Sequence, residues 1–436
     1  MPKAEATEYT GGHDMKLSHR LDVSRAKRRR RRFTAPVVAV TGSSGKTTTS
    51  SLLAHVLEGH GKVGRQVLEN GVLSIAWRFL KMPLDVDHIV VETGVAKPGD
   101  MDGLVELVKP DVAVVTLVAA EHYKAFRGEA AVAEEKGKLV AALPQDGLAV
   151  LNGDDARVME MARRTGARIV RFGQSPECEY RYRVLDLTLS EGLSLVLETP
   201  AGQLVLRTTA RADFLAPCFA AAAAVALELG VPSDIVRARM ASFPPVRERF
   251  EYRRLTGGPH LIIDTAKAPE HSLHNLLVAF GALDAGRRRV VLGQISDSRG
   301  KSRTVYRRAI DVALSVADEV VLVGENATRV GRKYPETDRL KIVETPREVA
   351  QYLRDTVRKD DLILLKSSRI LHLERLALAL EQDLKCWKPE CEIKFSCVAC
   401  GLYGDAPEHH KAIRRRKELG KALGPLQRLL PPKGTH

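Results

Sequence analysis

The chain has 436 residues, which is too long for one ordinary hydrophobic core, so we expect two domains with appendages. It contains no run of about 18 apolar residues, and no apolar segment follows the basic block near the N-terminus. The sequence therefore predicts neither a membrane span nor a secretory signal, and we expect a cytoplasmic protein.

The net charge of +14 is concentrated at the two ends of the chain. Residues 1–35 and 385–436 each carry +6, whereas the residues between them carry only +2. The densest basic runs are Lys27 to Arg32 and Arg414 to Lys417. We expect both runs to be solvated, and contact with RNA, anionic lipid or another polyanion through these tails is the alternative.

The first series of predicted elements alternates between strands and helices. The apolar run Pro36 to Thr41 predicts a strand, and a helix is predicted from Ser50 to Gly59. The elements that follow are strand His88 to Glu92, strand Asp111 to Val118, helix Glu129 to Leu143, strand Gly147 to Asn152, antiparallel strands within Tyr180 to Arg207, and helix Ala216 to Leu229. This order predicts a P-loop-type, mostly parallel sheet with ligands at the carboxyl ends of its strands.

A second α/β series begins near Tyr252, after a hinge at Pro244-Pro245. Its predicted elements are strands Leu261 to Asp264 and Arg289 to Leu292, helix Thr304 to Ser315, and strands Glu319 to Val323 and Asp361 to Lys366. We therefore expect a smaller, Rossmann-like second domain. The predicted divisions are an N-terminal tail (1–35), a central domain (36–244), a C-terminal domain (245–384) and a cysteine-containing appendix (385–436).

A glycine-rich turn follows the first predicted strand directly, in the stretch Gly42-Ser43-Ser44-Gly45-Lys46-Thr47-Thr48. Glycines let backbone N–H groups approach phosphate oxygens, the Lys46 ammonium offsets their charge, and the Thr47 hydroxyl suits magnesium. Val40 stands where the common P-loop has its first glycine, so only the shorter G-x-x-G-K-T form is present. This stretch predicts a nucleotide-phosphate site, and an ordinary Gly/Ser turn is the alternative.

Four cysteines lie within 15 residues of the appendix, at Cys386, Cys391, Cys397 and Cys400. Thiolates at this spacing can close a tetrahedral zinc site that holds together a segment too small for its own core. Reduced structural cysteines are the alternative. Cys178 and Cys218 are isolated in the sequence, and we interpret them as core or surface thiols.

Several separate motifs resemble those of the Mur ligase family, the ATP-dependent amide-forming enzymes of peptidoglycan assembly and their relatives. Together they span roughly residues 36 to 380. Besides the turn they are Glu92 to Asp100 (E-x-G-A-x-x-P-G-E/D), Thr116 to Gly128 with Glu121-His122-Tyr123 (T-N-x-x-x-A/D-H), Glu135 to Lys138 (A-K-G-E), Leu151 to Asp155 (L-N-x-D-D), Asp264 to Glu270 (D-Y-A-H-x-P-D), and Leu365 to Arg369 with Glu374 (V-K-G-S-R and its glutamate).

The resemblance implies a phosphoryl-transfer site in the first domain. Lys46 would grip the β and γ phosphates of ATP, and Thr47 and Glu92 would hold the bridging magnesium ion. His122 would bind a second magnesium, as would Lys136 if it is carbamylated, because an unmodified ammonium repels a cation. The alternatives are a turn-capping Glu92, a structural His122 and an ordinary surface lysine at 136.

In the second domain the resemblance implies further contacts with nucleotide and substrate. Asp264 would bind the ribose, and Arg249 would lie near the phosphates after domain closure. Lys267 occupies the place of the family's histidine and is assigned to the substrate site. Lys366 and Arg369 would bind the carboxylate of the incoming amine, and a strand-end turn is the alternative for this pair.

The sequence also departs from the family pattern. Only 35 largely polar and basic residues precede the first strand, so we do not expect a standard UDP-muramyl acceptor. The segment Asp213 to Pro217 lacks both asparagines of the family's H-N-x-x-N, which contacts adenine. Glu248 stands where the family has glycine before its arginine.

These observations predict an ATP- and magnesium-dependent carboxylate–amine ligase that works through an acyl phosphate and releases ADP and phosphate. Its expected partners are ATP, a carboxylate acceptor, and an amino acid or short peptide. One alternative is a nucleotide-binding subunit without turnover that docks a partner enzyme or polyanion. A plain ATPase or kinase is another.

Overall fold

The computed structural model describes residues 16–121, 125–298, 300–389, 391, 393 and 395–414. The chain divides into two compact units. The first runs as far as Tyr252 and adds Pro269–Asp284 and Asp297–Gly300, and the second contains the remaining residues after Tyr252. In the part of the chain that the structure describes, no helix has both the length and the apolar character needed to cross a bilayer.

The first unit contains nine strands and most of the helices. Its strands are β1 (Val37–Thr41), β2 (Val63–Gln66), β3 (His88–Glu92), β4 (Val112–Val115), β5 (Leu148–Asn152), β6 (Arg168–Gly173), β7 (Tyr180–Thr188), β8 (Gly192–Thr199) and β9 (Gly202–Arg207). Its helices are α1 (Leu17–Arg30), α2 (Lys46–Leu57), α3 (Val72–Lys81), α4 (Asp100–Val108), α5 (Glu129–Ala141), α6 (Ala156–Glu160), α7 (Ala216–Glu228), α8 (Ser233–Ala241) and α9 (Glu270–Gly281).

The nine strands form one sheet in the order β2-β3-β1-β4-β5-β6-β7-β8-β9. The strands from β2 to β7 are parallel, and β7, β8 and β9 pair antiparallel. The mostly parallel sheet and the antiparallel segment over Tyr180 to Arg207 confirm the sequence predictions. The helix after the turn begins at Lys46, earlier than the predicted Ser50, because the glycine turn leads directly into it.

Alternate residues of the central strands face two helical layers. Val38 and Val40 of β1 pack in a cluster with α2, α7 and α8, and Val37 and Ala39 pack with α1, α3, α4 and α5. Strands covered on both faces are mostly apolar, and all five residues of β1 are buried. The alanine-rich α7 packs closely on α2 because its side chains are small.

Helix α1 corrects the expectation that the whole basic run Lys27 to Arg32 is solvated. Arg29 donates from Nε and one terminal nitrogen to carbonyl oxygens at the end of α3, at 2.9 and 2.7 Å. Arg30 donates likewise to carbonyls at the end of α4, at 2.7 and 2.8 Å, and is only 8% exposed. Unpaired carbonyls at helix ends attract guanidinium groups, so part of this basic run anchors α1. Arg31 and Arg32 remain exposed.

The second unit is built on a six-stranded sheet in the order β10-β11-β15-β12-β13-β14. Its strands are β10 (Glu251–Arg254), β11 (His260–Asp264), β12 (Arg287–Leu292), β13 (Glu319–Val323), β14 (Leu340–Val343) and β15 (Asp361–Lys366), and its helices are α10 (Ser302–Val316), α11 (Glu325–Gly331), α12 (Pro346–Thr356), α13 (Arg375–Ala379) and α14 (Cys397–Cys400). The neighbouring strands β11, β15, β12, β13 and β14 are all paired in parallel. This arrangement confirms the predicted Rossmann-like second fold.

Candidate functional site

The glycine turn between β1 and α2 has a backbone that only glycine adopts easily. Gly42 has φ +142° and Gly45 has φ +81°. A Cβ atom added to Gly42 would lie 1.9 Å from Oγ1 of Thr116, which is far inside van der Waals contact. Both the dihedral angle and the neighbouring strand end therefore require glycine at position 42.

The chain that follows β4 holds this turn in place. Thr116 Oγ1 donates to the carbonyl of Ser44 at 2.6 Å and lies 3.2 Å from the carbonyl of Thr41. The backbone N–H of Ser43 donates to the Leu117 carbonyl at 2.8 Å. These bonds fix the carbonyls of the turn, so its shape is set before any ligand arrives.

Lys46 and Thr47 occupy the first turn of α2. Lys46 Nζ donates to the carbonyl of Gly42 at 2.5 Å, so its side chain folds back over the turn. The first N–H groups of a helix have no intrahelical partner, and with an ammonium beside them they form a favourable place for an anion. Thr47 and Thr48 are 7% and 8% exposed. The geometry fits a phosphate chain.

Cys218 is a buried thiol that lies next to this turn. Its Sγ is 3.8 Å from the carbonyl of Gly45, and burial raises the pKa of its thiol to about 11. Cys178 is also buried, and burial raises the pKa of its thiol to about 11. Both thiols are therefore neutral near pH 7.

Glu92 ends β3, the strand beside β1, and its backbone pairs in register with Val40. The carboxylate is 2% exposed and accepts two hydrogen bonds, from Asn70 Nδ2 at 2.8 Å and from the backbone N–H of Leu68 at 3.0 Å. A carboxylate held at the carboxyl edge of the sheet is a hard oxygen donor of the type that Mg²⁺ prefers. Within the described residues Glu92 accepts from the segment before β3 and not from the turn that follows it, and magnesium binding by Glu92 and Thr47 stays a prediction.

Lys136 is fully buried in α5, so the surface-lysine alternative is wrong. Its Nζ lies 2.7 Å from Oε1 of Glu121 and donates to the carbonyl of Gly42 at 3.1 Å. Oε1 of Glu121 also accepts from the hydroxyl of Ser43 at 3.2 Å. The pair therefore connects α5 to the glycine turn. His122, the other predicted magnesium ligand, lies outside the described residues.

The residues that sequence reasoning missed support the site from behind. Asn152 Nδ2 donates to the Thr116 carbonyl at 2.6 Å, and Asp155 Oδ2 accepts from the N–H of Val118 at 2.7 Å. Both belong to the L-N-x-D-D motif, which the sequence analysis identified without predicting a role for it. They position the strand end that in turn holds the glycine turn. Asn70 carried no such signal, because it lies in an irregular loop.

In the second unit, Asp264 and Lys366 end the neighbouring strands β11 and β15 in register. Lys366 Nζ lies 2.6 Å from Oδ1 of Asp264 and donates to the Lys267 carbonyl at 2.8 Å. Lys366 is only 1% exposed, whereas Lys267 is exposed and Arg369 partly so. The structure thus brings Asp264, Lys366 and the Lys267 backbone together at one edge of the sheet.

The segment around Arg249 has two neighbouring residues in a left-handed backbone conformation. Glu248 has φ +59°, a left-handed conformation that favours glycine, and its N–H donates to Glu251 Oε2 at 2.9 Å. Phe250 is also left-handed, with φ +52°. Arg249 is partly buried between these two residues, and its Nε has no hydrogen-bond partner among the described residues.

The four appendix cysteines line one small cavity together with His372 and His410. Within the described residues, the donor atoms that lie within 4.8 Å of one another are those of His372, Glu374 and Cys397. His372 contacts Glu374 through Nδ1 at 3.0 Å and the Ile393 carbonyl through Nε2 at 3.1 Å, so both its ring nitrogens are engaged. Zinc binding by the four thiols stays a prediction.

Arg375 joins the appendix to the second unit. Its guanidinium, 2% exposed, donates to the carbonyls of Cys386 and Lys388 at 3.1 to 3.3 Å. Glu374 Oε1 accepts from the backbone N–H of Cys397 at 3.0 Å. The first residues after the second domain are therefore packed and hydrogen-bonded, not a loose tail.

Two family models match the chain. The Mur ligase middle domain matches residues 40–226, and the Mur ligase glutamate ligase domain matches residues 248–369. Together they cover more than two thirds of the sequence, and between them they contain the glycine turn, Glu92, Lys136, Asp264 and Lys366.

Curated relatives agree with these models. The chain is 29% identical over 380 residues to the UDP-N-acetylmuramoyl-tripeptide–D-alanyl-D-alanine ligase of Mycobacterium leprae, covering 80% of this chain and 74% of that protein. It is 26% identical over 372 residues to the ligase of the same name from Escherichia coli, covering 82% and 79%.

Solved structures share the fold. The MurF ligase of Thermotoga maritima in complex with ADP has a TM-score of 0.74 at 22% identity, covering 86% of both chains. A UDP-N-acetylmuramoylalanyl-D-glutamyl-2,6-diaminopimelate–D-alanyl-D-alanyl ligase from Acinetobacter baumannii has a TM-score of 0.75 at 22% identity, covering 84% of this chain and 80% of that one. Motifs, fold and family models therefore agree that the chain belongs to the Mur ligase family of ATP-dependent acid–amino acid ligases.

Proposed function

We propose that the chain joins a carboxylate to an amine by way of an acyl phosphate, with release of ADP and phosphate. A carboxylate oxygen attacks the γ phosphorus, and the bond to the β–γ bridging oxygen breaks. The amine nitrogen then attacks the acyl carbon, phosphate leaves with one former carboxylate oxygen, and the nitrogen loses a proton. The observations that support this proposal are the glycine turn with Lys46, which follows β1, and the oriented carboxylate of Glu92, which ends the neighbouring strand β3.

Phosphoryl transfer depends on position and on charge neutralisation. In the proposal the turn from Gly42 to Thr48 cradles the phosphates, and Lys46 leaves the Gly42 carbonyl to hold the β and γ oxygens. Thr47 and Glu92 would hold a magnesium ion, which when bound neutralises the crowded phosphate oxygens. Glu92 arrives with its orientation already set by Asn70 and Leu68, so little reorganisation is needed.

We propose that Asp264, in the second unit, contacts the ribose and that Arg249, near the end of the first unit's main segment, contacts the phosphates. Lys366 is engaged by Asp264 and by a carbonyl, so its proposed part is to hold Asp264 in place. Lys267 and Arg369, at the same sheet edge and less buried, are proposed to bind the carboxylate of the amine substrate.

The relatives named above act with D-alanyl-D-alanine, so that dipeptide is our first candidate for the amine. We propose a carboxylate as the acceptor, in keeping with the amide-forming activity of the family. The cytoplasmic location likewise stays a prediction.

ADP release, measured with a panel of carboxylates and amines that includes UDP-muramyl tripeptide, tests the proposal. We expect release that needs both substrates and that Lys46→Ala abolishes. Release without an amine would indicate a plain ATPase, and ATP binding without release in any combination would indicate a nucleotide-binding subunit.

A further inference from the structure

A groove lies on the second unit between α12 and the first residues of the appendix. It consists of two adjoining hollows of about 500 and 450 Å³, which share Arg347, Leu384 and Trp387. The wall that contains Leu384 and Trp387 lies beyond residue 369, where the match to the family's glutamate ligase domain ends. The groove is therefore built in part by residues that the family match leaves out.

Trp387 is the largest side chain that lines the groove, and it is held in a fixed orientation. Its Nε1 donates to the Leu384 carbonyl at 3.0 Å, and the guanidinium carbon of Arg375 lies 5.7 Å from the centre of the indole ring. The apolar residues around it are Leu384, Pro389, Ala406 and Pro407. Because an oriented tryptophan loses little side-chain freedom on contact, it is a favourable anchor for a partner.

Three cations surround this apolar surface. They are Arg347, in the first turn of α12, and Lys385 and Lys388 in the appendix. All three are exposed, and across the part of the chain that the structure describes their side chains take part in no hydrogen bond or ion pair. Their charges are therefore available to a ligand.

The carboxylates that line the groove do not balance these cations, because both have other partners. Glu348 accepts from the backbone N–H of Thr345 at 3.1 Å, as part of the cap of α12. Asp383 pairs with Arg354 at 3.1 Å. The groove thus presents an uncompensated positive charge beside an apolar surface, which is complementary to a ligand that is both acidic and apolar.

The charges and the lining residues distinguish between possible occupants. Residues 415–436 carry six basic residues and one acidic residue, so the three cations would repel this segment of the chain itself. Single-stranded nucleic acid binds to several aromatic side chains in succession, whereas Trp387 is the one aromatic side chain among the described residues that line the groove. An acidic peptide with an apolar side chain meets both conditions.

We propose that this groove docks an acidic segment of a partner protein. Carboxylates of the segment pair with Arg347, Lys385 and Lys388, and one of its apolar side chains packs on Trp387. The cations guide the approach of the partner and fix its register, and burial of the indole supplies most of the affinity. The docking needs no ligase turnover, so it stands or falls independently of the proposed function.

The test is selection of displayed random peptides on the full chain, followed by calorimetric titration with the enriched peptides. We expect these peptides to carry a net negative charge and a large apolar residue. Lys385→Glu/Lys388→Glu should weaken their binding at least about tenfold, because two attractive contacts become repulsive. Trp387→Ala should weaken it at least about 30-fold, because tryptophan is prominent among the residues that dominate interface affinity.

Lys333→Glu/Lys359→Glu is the matched control. It changes the net charge by the same amount at two exposed lysines that do not line the groove, so it should bind the peptides like wild type. Chemical unfolding shows whether Trp387→Ala is folded. If it is not, Lys385→Glu/Lys388→Glu decides the question, because both lysines are exposed and their replacement leaves the packing intact.

The proposal is overturned if no peptide is enriched, if the enriched peptides are neutral or basic, or if the charge-reversed and control variants bind them equally. It is also overturned if poly-uridine RNA, and no acidic peptide, binds wild type and is lost in Lys385→Glu/Lys388→Glu. A dimer, seen by light scattering, that Trp387→Ala dissociates would place a second copy of the chain in the groove and would overturn it as well.

Discussion

Replacement of Gly42 by alanine tests whether the glycine turn is built as the structure shows. An alanine at φ +142° costs about 1–2 kcal/mol of backbone strain. Its Cβ would lie 1.9 Å from Thr116 Oγ1, so Thr116 must move and give up its hydrogen bond to the Ser44 carbonyl. At about 0.5–1.5 kcal/mol for this bond in addition to the strain, we expect Gly42→Ala to lower the free energy of unfolding by roughly 1.5–3.5 kcal/mol.

The same displacement would disturb the N–H groups that we propose to face the phosphates. Because a hydrogen bond to a charged group contributes about 1.5–3 kcal/mol, the loss of one such bond should weaken ATP binding at least about tenfold. The assays are chemical unfolding and calorimetric titration with magnesium and a non-hydrolysable ATP analogue. The matched control is Gly202→Ala, which has φ +119° with no atom within 4 Å of the added Cβ. It should lose only about 1–2 kcal/mol and bind the nucleotide normally.

The double variant Gly42→Ala/Thr116→Ala separates steric overlap from backbone strain. Thr116→Ala removes the atom that the new Cβ meets, so the double variant should lose less stability than the two single variants added together, by about 1 kcal/mol or more. Full additivity, or unchanged nucleotide affinity in Gly42→Ala, would refute the reasoning about this turn.

Three further predictions concern the parts of the molecule around the site. Arg30→Met should lower the free energy of unfolding by about 2–4 kcal/mol, because buried carbonyls at the end of α4 lose their donors. Arg31 is exposed, so Arg31→Met should change the free energy of unfolding by less than about 0.5 kcal/mol. Equal effects of the two variants would mean that Arg30 does not anchor α1 to the end of α4. Burial lowers the pKa of His88 below its ordinary value of 6.5, and His60 adds to this shift. Near and below pH 6.5 the unfolded chain therefore binds a proton at His88 more readily than the folded chain does, so this contribution to stability is complete above pH 6.5 and is lost as the pH falls. His88→Gln should make the free energy of unfolding fall less steeply with decreasing pH, and an unchanged slope would contradict this. Metal analysis should find about one zinc per chain that is lost in Cys397→Ser and Cys400→Ser but not in Cys178→Ser, and a wild-type content near zero would remove the zinc prediction.

The sequence predicted the fold well because its signals are local. Runs such as Val37 to Val40 are apolar at every position, as is typical of strands covered on both faces, and the turn that follows has glycines at the two residues that the structure holds at positive φ. The order of these elements then leaves few topologies to consider. Family models and solved structures agree with that order.

The partnerships of buried charged residues could not be predicted from the sequence. Arg30 belongs to a run of six basic residues, and only packing shows that it anchors a helix while its neighbour Arg31 is exposed. Lys136 and Glu121 are 15 positions apart and on different elements, so no helical spacing pairs them. Their contact depends on where α5 lies relative to the chain after β4, which is a property of the tertiary structure.

Lys366 and Glu248 are two further residues whose surroundings could not be predicted from the sequence. A lysine at a strand end looks available to substrate, yet in the structure Lys366 is buried against Asp264. Glu248 is a plain departure from a glycine in the sequence, and only its φ of +59° shows that the backbone keeps the conformation for which glycine is suited.

The most direct test of the account is the fate of an oxygen label on the acceptor. When the carboxylate is labelled with ¹⁸O and ATP is turned over in unlabelled water, an acyl phosphate must pass one labelled oxygen to the phosphate that leaves. We therefore expect one ¹⁸O in each released phosphate, in amounts that match the amide formed. Unlabelled phosphate would show that water attacks ATP directly, and the proposed ligase mechanism would be wrong.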